Sequence, residues 1–248
     1  MTAEAATEER AGHEAHVAGD RILTGIDGLD ELLGGGVPRG HTVTVLGSFG
    51  TGKTTFGIQF LVQGLINGEK GIYISLEEDV DSILASAAAF GWDLATPLKE
   101  KRLAIVKLEP ADARTTVTKV RSELPKFIKD FGADRVVVDS VSLLNMMFPD
   151  EMERRSRLFG LSQQIKSTGA TALFTAETKD DNPLSSRDGL VEYISDGVVS
   201  LRSREKESGD VQLTMQVMKM RRLKHSRAIK PYTIDDDGIN VHVDVEVF

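Results

Sequence analysis

The sequence of 248 residues contains no cysteine, which excludes disulfide bonds and thiolate metal sites. A chain without cysteine suits a reducing compartment, so we expect a cytoplasmic protein. No apolar run approaches the ~20 residues that span a bilayer, so no membrane insertion is expected. There is no excess of positive charge either, because 38 acidic residues against 30 basic ones give a formal net charge of -8. Binding to nucleic acid is therefore not expected without a local basic groove.

The first twenty residues, MTAEAATEERAGHEAHVAGD, are acidic and lack the apolar segment of a signal peptide. We interpret residues 1–20 as a disordered acidic tail. The rest of the chain has a different character, with segments that can form strands and helices. Because 40% of all residues are hydrophobic, the chain can fill a sizeable core. Residues 21–248 are therefore predicted to form a single domain.

Strand-like and helix-like segments alternate through most of this predicted domain. HTVTVLG, GIYISL and RVVVD are short and rich in β-branched residues, whereas Lys53 to Ile66 has a helical pattern. RVVVD (135–139) is apolar until its final acid, as expected for a central strand buried on both faces. After Asp196, three strand-like segments follow with no helix between them. The pattern predicts an α/β fold with a largely parallel central sheet, flanking helices and a C-terminal antiparallel extension.

A cluster of glycines and a lysine lies between a strand and a helix in VTVLGSFGTGKTTFGIQFLVQGL. It satisfies the P-loop pattern in the strand–loop–helix context that the pattern requires. Glycines let consecutive backbone N–H groups point into one concavity, and the following helix adds unpaired donors and a positive dipole. Lys53 supplies a cation to the β and γ phosphates, and the Thr54 hydroxyl can bind Mg²⁺. The residues predicted to bind a nucleoside triphosphate are Gly47, Ser48, Phe49, Gly50, Thr51, Gly52, Lys53, Thr54 and Thr55.

Acidic residues follow two other predicted strands. Asp139 ends RVVVD, where P-loop proteins carry the acid that holds Mg²⁺ through water. The alternative is that Asp139 only caps the following helix. Glu77 and Glu78 follow YISL, and either could orient or deprotonate the attacking water. The alternative is a solvated acidic loop, since Asp79 and Asp81 continue the run, and spacing alone leaves both interpretations open.

The chain resembles the KaiC-like branch of the RecA superfamily of ATPases in four segments: RILTGIDGLDELLGGGVPRGHTVTVLGSFGTGKTT, YISLEED, RVVVDS and MKMRRLKH. The resemblance covers about residues 21–243. It implies a RecA-like core that binds ATP and Mg²⁺ and hydrolyses ATP slowly. It also implies self-association, with a hexameric ring and nucleotide between subunits as the expectation. The nucleotide state would then control binding of a protein partner that the sequence does not identify.

The resemblance also assigns roles to particular residues. The family's paired glutamates hold the catalytic base, and they match Glu77 and Glu78. The family's Lys-x-Arg…His segment reaches the phosphates of the neighbouring subunit, and it matches Lys219, Arg221 and His225. The expected site is therefore shared, with one subunit supplying the P-loop and the next supplying these cationic residues.

Strand geometry supports the cationic assignment, because side chains two residues apart in a strand share a face. The residues predicted to share one face are Val211, Leu213, Met215, Val217, Lys219 and Arg221. An apolar face that becomes cationic at its end suggests a charge delivered at an edge of the fold, and the alternative is a solvated basic strand end. The family usually has a glycine after this arginine. Arg222 stands there instead, which leaves the local backbone geometry open.

Other functions are weighed against this one. Autophosphorylation of the circadian clock type is not expected, because Glu192-Tyr193 replaces the clock member's Ser-Thr pair. A RadA-like ATPase of DNA recombination is an alternative, but the loop TKDDNPLSSRDG is short and acidic and no Phe precedes Phe49. A nucleotide-binding scaffold that does not hydrolyse ATP is a further alternative, which retention of Glu77 and Glu78 disfavours.

Overall fold

A computed structural model describes residues 21–108, 123–148, 150–179, 182, 184–206 and 209–246. The predicted acidic tail, residues 1–20, lies outside the described residues. The described part of the chain forms a nine-stranded sheet with helices on both faces and a two-stranded sheet beside it. None of the helices in this described part combines the length and the apolar character that crossing a bilayer requires.

The small sheet consists of two short strands, β1 (Arg21–Ile22) and β2 (Val37–Pro38). The large sheet contains β3 (Thr42–Gly47), β4 (Gly71–Ser75), β5 (Leu103–Lys107), β6 (Arg135–Asp139), β7 (Thr171–Glu177), β8 (Gly197–Glu205), β9 (Val211–Met220), β10 (Ile229–Asp235) and β11 (Gly238–Val241). The helices are α1 (Leu29–Leu32), α2 (Lys53–Ile66), α3 (Val80–Ala89), α4 (Ala95–Lys99), α5 (Leu124–Phe131), α6 (Val141–Met146), α7 (Glu151–Ser167) and α8 (Val191–Ile194).

The large sheet has the strand order β11-β10-β9-β8-β3-β7-β6-β4-β5. The strands from β8 to β5 in this order run parallel, and β9, β10 and β11 add antiparallel pairs. The predicted α/β fold with a largely parallel sheet and a C-terminal antiparallel extension is confirmed. The first of the three C-terminal segments, β8, has a double role, because it pairs in parallel with β3 and antiparallel with β9.

Two hydrophobic cores cover the two faces of the sheet. The first core contains the apolar side chains of α2 and α3, and the second contains those of α5, α6, α7 and α8. Every residue of β3 and β6 is buried, because helices pack on both faces of these central strands. The carboxyl ends of the parallel strands meet at one edge of the sheet, here called the carboxyl edge. Their starts form the opposite, amino edge.

A bulge in β9 overturns the prediction that Lys219 continues the face of Val217. Val217 pairs with Val199 and Lys219 pairs with Val198, so that Met218 is an extra residue in the ladder. Val217 and Val199 belong to the first core, whereas Val198 belongs to the second. Because opposed residues share a face, Lys219 lies on the second-core side. The sequence pattern missed this change because it assumed unbroken alternation along the strand.

Candidate functional site

The P-loop connects β3 to α2 at the carboxyl edge. Gly52 is the N-cap of α2 and has a φ of 82°, a left-handed conformation that favours glycine. A Cβ atom at Gly52 would lie 2.6 Å from Cδ1 of Ile234, so a larger residue would also collide with β10. Among the described residues, no side chain caps this helix end. The N–H groups of the first turn are therefore available for an anion.

Side chains of the P-loop bond back to its own backbone. Thr51 Oγ1 and Lys53 Nζ both donate to the carbonyl oxygen of Ser48, each at 2.8 Å. Burial lowers the pKa of Lys53, while the carboxylates of Glu177, Asp139 and Glu77 act in the opposite direction. The ammonium group of Lys53 thus lies among carboxylates. It can donate hydrogen bonds to phosphate oxygens.

Asp139 accepts hydrogen bonds from three other elements. Tyr73 Oη donates to Oδ2 at 2.6 Å, Thr54 Oγ1 donates to the same oxygen at 2.9 Å, and Thr175 Oγ1 donates to Oδ1. The residue at the N-cap position of α6 is Ser140, and no cap bond from a described side chain is present there. The alternative that Asp139 only caps this helix is therefore wrong. The structure brings Asp139 and Thr54 together, as the P-loop hypothesis requires.

The glutamate pair lies beside Asp139, after the end of β4. Ser140 Oγ donates to Oε1 of Glu77 at 2.7 Å. Burial raises the pKa of Glu78, and the negative charges of Asp139 and Glu77 add to that effect. Asp79 has a separate structural function, because its Oδ1 accepts a bond of 2.8 Å from the backbone N–H of Ser82 and caps α3. The acidic run is thus divided between a helix cap and two carboxylates close to the P-loop.

Sequence analysis missed several residues of this edge. Tyr73 and Thr175 come from the two strands next to β6, and each is a polar residue in a largely apolar strand. That pattern is a detectable signal for a side chain with a buried partner. Tyr232 Oη donates to the carbonyl oxygen of Thr51 at 2.6 Å and supports the P-loop from β10. Glu177, at the end of β7, acts on Lys53 through its charge. Neither of these two residues belongs to a motif.

The cationic residues predicted from the end of β9 lie at the amino edge. Lys219 Nζ donates to the carbonyl oxygens of Ser195 at 2.6 Å and Glu192 at 3.1 Å. The backbone N–H of Arg221 donates to the carbonyl oxygen of Asp196, and that of Asp196 donates to the carbonyl oxygen of Thr42, both at 2.8 Å. Arg221 is therefore level with the first residue of β3. It lies roughly 17 Å from the P-loop along the strand direction, at about 3.3 Å per residue.

The remaining predicted residues of this region lie in the coil that follows β9. His225 Nδ1 is 2.9 Å from the carbonyl oxygen of Ser226, whose N–H donates to Leu32 in α1 at 2.8 Å. Arg222 has a φ of 59°, so it adopts the left-handed conformation that a glycine would favour at this position. The structure does not bring Lys219, Arg221 or His225 to the P-loop of the same chain.

Comparisons with known proteins agree with this arrangement. A family model described as "ATPase: KaiC" matches residues 22–246. The circadian clock oscillator protein KaiC of Synechococcus elongatus is 34% identical over 233 residues, which cover 91% of this chain and 45% of that protein. The circadian clock protein KaiC2 of Synechocystis sp. is 34% identical over 225 residues, covering 88% of this chain and 39% of that protein. The chain spans less than half the length of these relatives.

The fold is similar to that of a solved protein. The crystal structure of a KaiC-like protein from the hyperthermophilic archaeon Pyrococcus horikoshii OT3 superposes with a TM-score of 0.79 at 33% identity. The superposition covers 90% of this chain and 98% of that chain. This neighbour has the length of the present domain and supports the predicted RecA-like fold.

Proposed function

The chain belongs to the KaiC family of ATPases, and on that premise we propose that it binds ATP with Mg²⁺ and hydrolyses it slowly at sites shared between subunits of a ring. The P-loop residues from Gly47 to Thr55 surround the phosphates. Backbone N–H groups at the start of α2 and the ammonium of Lys53 neutralise the phosphate charge. The single observation that carries the shared-site part is that Arg221 and the P-loop lie at opposite edges of one sheet.

The metal fits the residues present at the carboxyl edge. The Thr54 hydroxyl and the Asp139 carboxylate offer the oxygen ligands that Mg²⁺ prefers, and they are already in contact. Within the described residues there is no cluster of three or more histidine or acidic side chains that could hold a metal alone. Water and the substrate phosphates would therefore complete the coordination, as is usual for Mg²⁺. When bound, Mg²⁺ neutralises charge that develops on the β and γ phosphates.

Hydrolysis needs a group that orients or deprotonates water, and we assign this role to the glutamate pair. Ser140 holds the Glu77 carboxylate next to Asp139, and burial raises the pKa of Glu78. A carboxylate with a raised pKa is a stronger base than an ordinary glutamate. One of the two therefore accepts the proton from water, and the other contributes to the negative environment that raises the pKa of its neighbour.

Cations from a second copy complete the proposed site. Lys219 and Arg221 lie too far from the P-loop of their own chain to contact its phosphates. In a head-to-tail assembly the amino edge of one copy faces the carboxyl edge of the next, and rotation closes such a contact into a ring. Arg221 of the neighbouring subunit then stabilises the charge of the transferred phosphoryl group. Lys219 and His225 belong to the same cationic segment and support it. A triphosphate tightens this contact more than a diphosphate does, so nucleotide state controls assembly and thereby partner binding.

Mixing two defective variants tests the shared site. We expect Arg221→Ala to lower ATP hydrolysis by on the order of 10³-fold. When it is mixed with the double variant Glu77→Gln and Glu78→Gln, part of the activity returns, because each subunit supplies what its neighbour lacks. Arg222→Ala, the adjacent exposed arginine, is the matched control and should neither lose activity to that extent nor require rescue.

Sedimentation provides the second half of the test. With ATP and Mg²⁺ we expect a species about six times the 27.0 kDa chain mass, and a smaller one with ADP. A protein that remains monomeric while hydrolysing ATP at a rate independent of its concentration contradicts the proposal. If mixed oligomers form but show no rescue, Arg221 does not belong to the neighbour's site.

A further inference from the structure

A segment of unbalanced charge follows β9. Residues 221–228, RRLKHSRA, contain no acidic side chain and are here called the cationic coil. Its four cationic side chains, Arg221, Arg222, Lys224 and Arg227, are all exposed. Among the described residues, the only carboxylate within ion-pairing distance of them is that of Asp196, whose Oδ1 is 3.6 Å from Nη1 of Arg221. The described surroundings of the cationic coil therefore leave most of its charge without an opposite charge.

Asp196 is itself already engaged by other groups. Its Oδ2 accepts hydrogen bonds from Nζ of Lys166 at 2.7 Å and from the backbone N–H of Thr42 at 3.0 Å. The Arg221 side chain stays 54% exposed beside it. The guanidinium group of Arg221 thus has donors that further carboxylate or phosphate oxygens can accept.

The first described residue lies beside the cationic coil. Nη1 of Arg21 donates to the carbonyl oxygen of Gly34. A Cβ atom placed on Gly34 would be 3.7 Å from this Nη1 and 3.8 Å from the carbonyl oxygen of Lys224. The side chain of Arg21 and the backbone of the cationic coil therefore flank the same glycine. Residues 1–20 are joined to the domain at this place.

The charge and the length of residues 1–20 match the cationic coil. This acidic tail carries five acidic side chains and one arginine, a formal charge of -4. An extended chain spans at most about 3.5 Å per residue, so Glu14 lies within about 25 Å of Arg21. The cationic coil lies inside that radius. Charge, length and point of attachment thus select the acidic tail as the occupant of this surface.

We propose that the acidic tail binds the cationic coil of its own chain, with its carboxylates paired to Arg221, Arg222 and Lys224. The contact is intramolecular, so it forms without a second molecule. Its regulatory consequence rests on the proposed function, in which Arg221 contacts the phosphates of the neighbouring subunit. Tail carboxylates and phosphates then compete for the same guanidinium group.

The strength of exposed ion pairs makes this competition reversible. Each pair alone is weak and is screened by salt, so only several pairs together hold the tail. A bound triphosphate brings more negative charge to Arg221 than one carboxylate does, and it displaces the tail. The acidic tail therefore opposes assembly, and nucleotide on the neighbouring subunit overcomes this inhibition.

Cross-linking tests the contact directly, because the chain contains no cysteine and introduced thiols react alone. The variant with Ala11→Cys and Ala228→Cys is treated with a short bismaleimide at low salt, without nucleotide and at a concentration where the protein is monomeric. Ala228 is an exposed residue of the cationic coil, and its replacement leaves every cation in place. We expect a product within one chain that forms at a rate independent of protein concentration.

Charge variants separate binding of the tail from mere tethering. In the same two-cysteine background, four residues are changed to Gln, which brings the formal charge of the tail to zero: Glu4, Glu8, Glu9 and Glu14. We expect cross-linking to slow at least about fivefold. Changing the same four residues to Asp keeps the charge and should keep the rate.

The cationic coil offers a reciprocal pair of variants. Arg222→Ala with Lys224→Ala should also slow cross-linking. The matched control is Lys126→Ala with Lys129→Ala, which removes two exposed cations from α5 and should leave the rate unchanged.

Assembly measures the regulatory consequence. The Gln variant of the tail should lower the protein concentration needed for half-assembly with ATP by about three- to tenfold, as for loss of a few exposed ion pairs. The Asp variant should assemble like the wild-type protein. An unchanged concentration for the Gln variant contradicts the inhibitory role of the tail.

Other outcomes overturn the contact itself. Equal cross-linking rates for the wild-type, Gln and Asp tails show tethering without binding. Products that join two chains assign the tail to the coil of a second copy. Failure of rescue between Arg221→Ala and the glutamate variant would remove the shared site, but cross-linking of the nucleotide-free monomer tests the tail contact independently of that site.

Discussion

The two edges of the sheet differ in how completely their charged side chains are satisfied. At the carboxyl edge, Asp139 is almost fully buried and accepts bonds from Thr54, Tyr73 and Thr175. At the amino edge, the Arg221 side chain is 54% exposed, and its nearest carboxylate oxygen, on Asp196, is 3.6 Å away. One edge is organised before the ligand arrives, whereas the other holds a cation whose guanidinium group remains open to solvent.

This difference in pairing shows which interactions each edge can still make with a ligand or a second copy. Lys219 bonds to backbone carbonyls, and its pKa is lowered by burial and then by the positive charge of Arg221. The charge of Asp196 acts in the opposite direction on Lys219, but it leaves the Arg221 guanidinium more than half exposed and able to contact an anion from outside the chain. The carboxyl edge supplies a site for that anion, so the two edges are complementary in charge.

The largest effect is expected at Lys53, the partly buried cation of the carboxyl edge. Lys53→Ala should weaken ATP binding on the order of 10²- to 10³-fold, because a buried phosphate charge loses its partner. Lys219→Ala, the equivalent change at the amino edge, should leave ATP affinity almost unchanged in protein dilute enough to be monomeric. Calorimetry on both folded variants measures this contrast. If both lysines contribute equally to ATP affinity in the monomer, the two edges are not separate halves of a shared site.

The glutamate pair sharpens the contrast between binding and turnover. The double change Glu77→Gln and Glu78→Gln should lower phosphate release by on the order of 10²-fold or more, as for loss of a general base. ATP should remain bound, because the P-loop and Asp139 are intact. Phosphate release and nucleotide retention are measured on the same preparation. If phosphate release is unchanged, Glu77 and Glu78 belong to a solvated acidic loop and neither is the catalytic base.

A smaller effect is expected from a single hydroxyl group at the carboxyl edge. Tyr73→Phe removes a hydrogen bond to Asp139 and should lower the Mg²⁺ affinity of the ATP complex by roughly tenfold, as for other residues that orient a metal ligand. Tyr193→Phe makes the same change on the exposed tyrosine of the amino edge and should have no effect. Titration of nucleotide binding with Mg²⁺ measures both. If the two variants have equal Mg²⁺ affinities, Tyr73 does not support the metal site.

The smallest expected effect is a displacement of the pH profile. A base acts as a carboxylate, so hydrolysis is retained above its pKa and lost as the pH falls through it. Burial raises the pKa of Glu78, and the cation of Lys107 counteracts this. Lys107→Met should therefore move the acid limb of the rate profile to higher pH, whereas Lys99→Met, an exposed lysine in α4, should not. An acid limb that does not move would favour Glu77 as the base.

Sequence patterns predicted the features that depend on contiguous residues. The P-loop was recognisable because its glycines, Lys53 and Thr54 act within one short segment, and α2 has the predicted bounds. Asp139 was recognisable because a P-loop requires an acid near the metal, and Asp139 ends a buried strand. Their roles in binding and catalysis remain predictions, as do those of Glu77 and Glu78.

Features that depend on distant residues were not predictable in this way. The hydrogen bond from Tyr73 to Asp139 joins two strands, and its polar signal alone does not name a partner. The bulge at Met218 depends on how β9 pairs with β8, which alternation within one strand cannot show. The exposure of Phe49 depends on how the surrounding strands are arranged, so its sequence position suggested only a P-loop residue.

The hydrogen bond between Tyr232 and the P-loop has a consequence for synthesis of the chain. It joins residues 181 positions apart, so the loop emerges from the ribosome well before its support. At about 5–20 residues per second, that interval lasts about 10 to 40 s. Contacts of such high sequence separation also slow folding. Nucleotide stabilises only the state that binds it. ATP therefore stabilises the nascent chain little, and it stabilises the fold once β10 has joined the sheet.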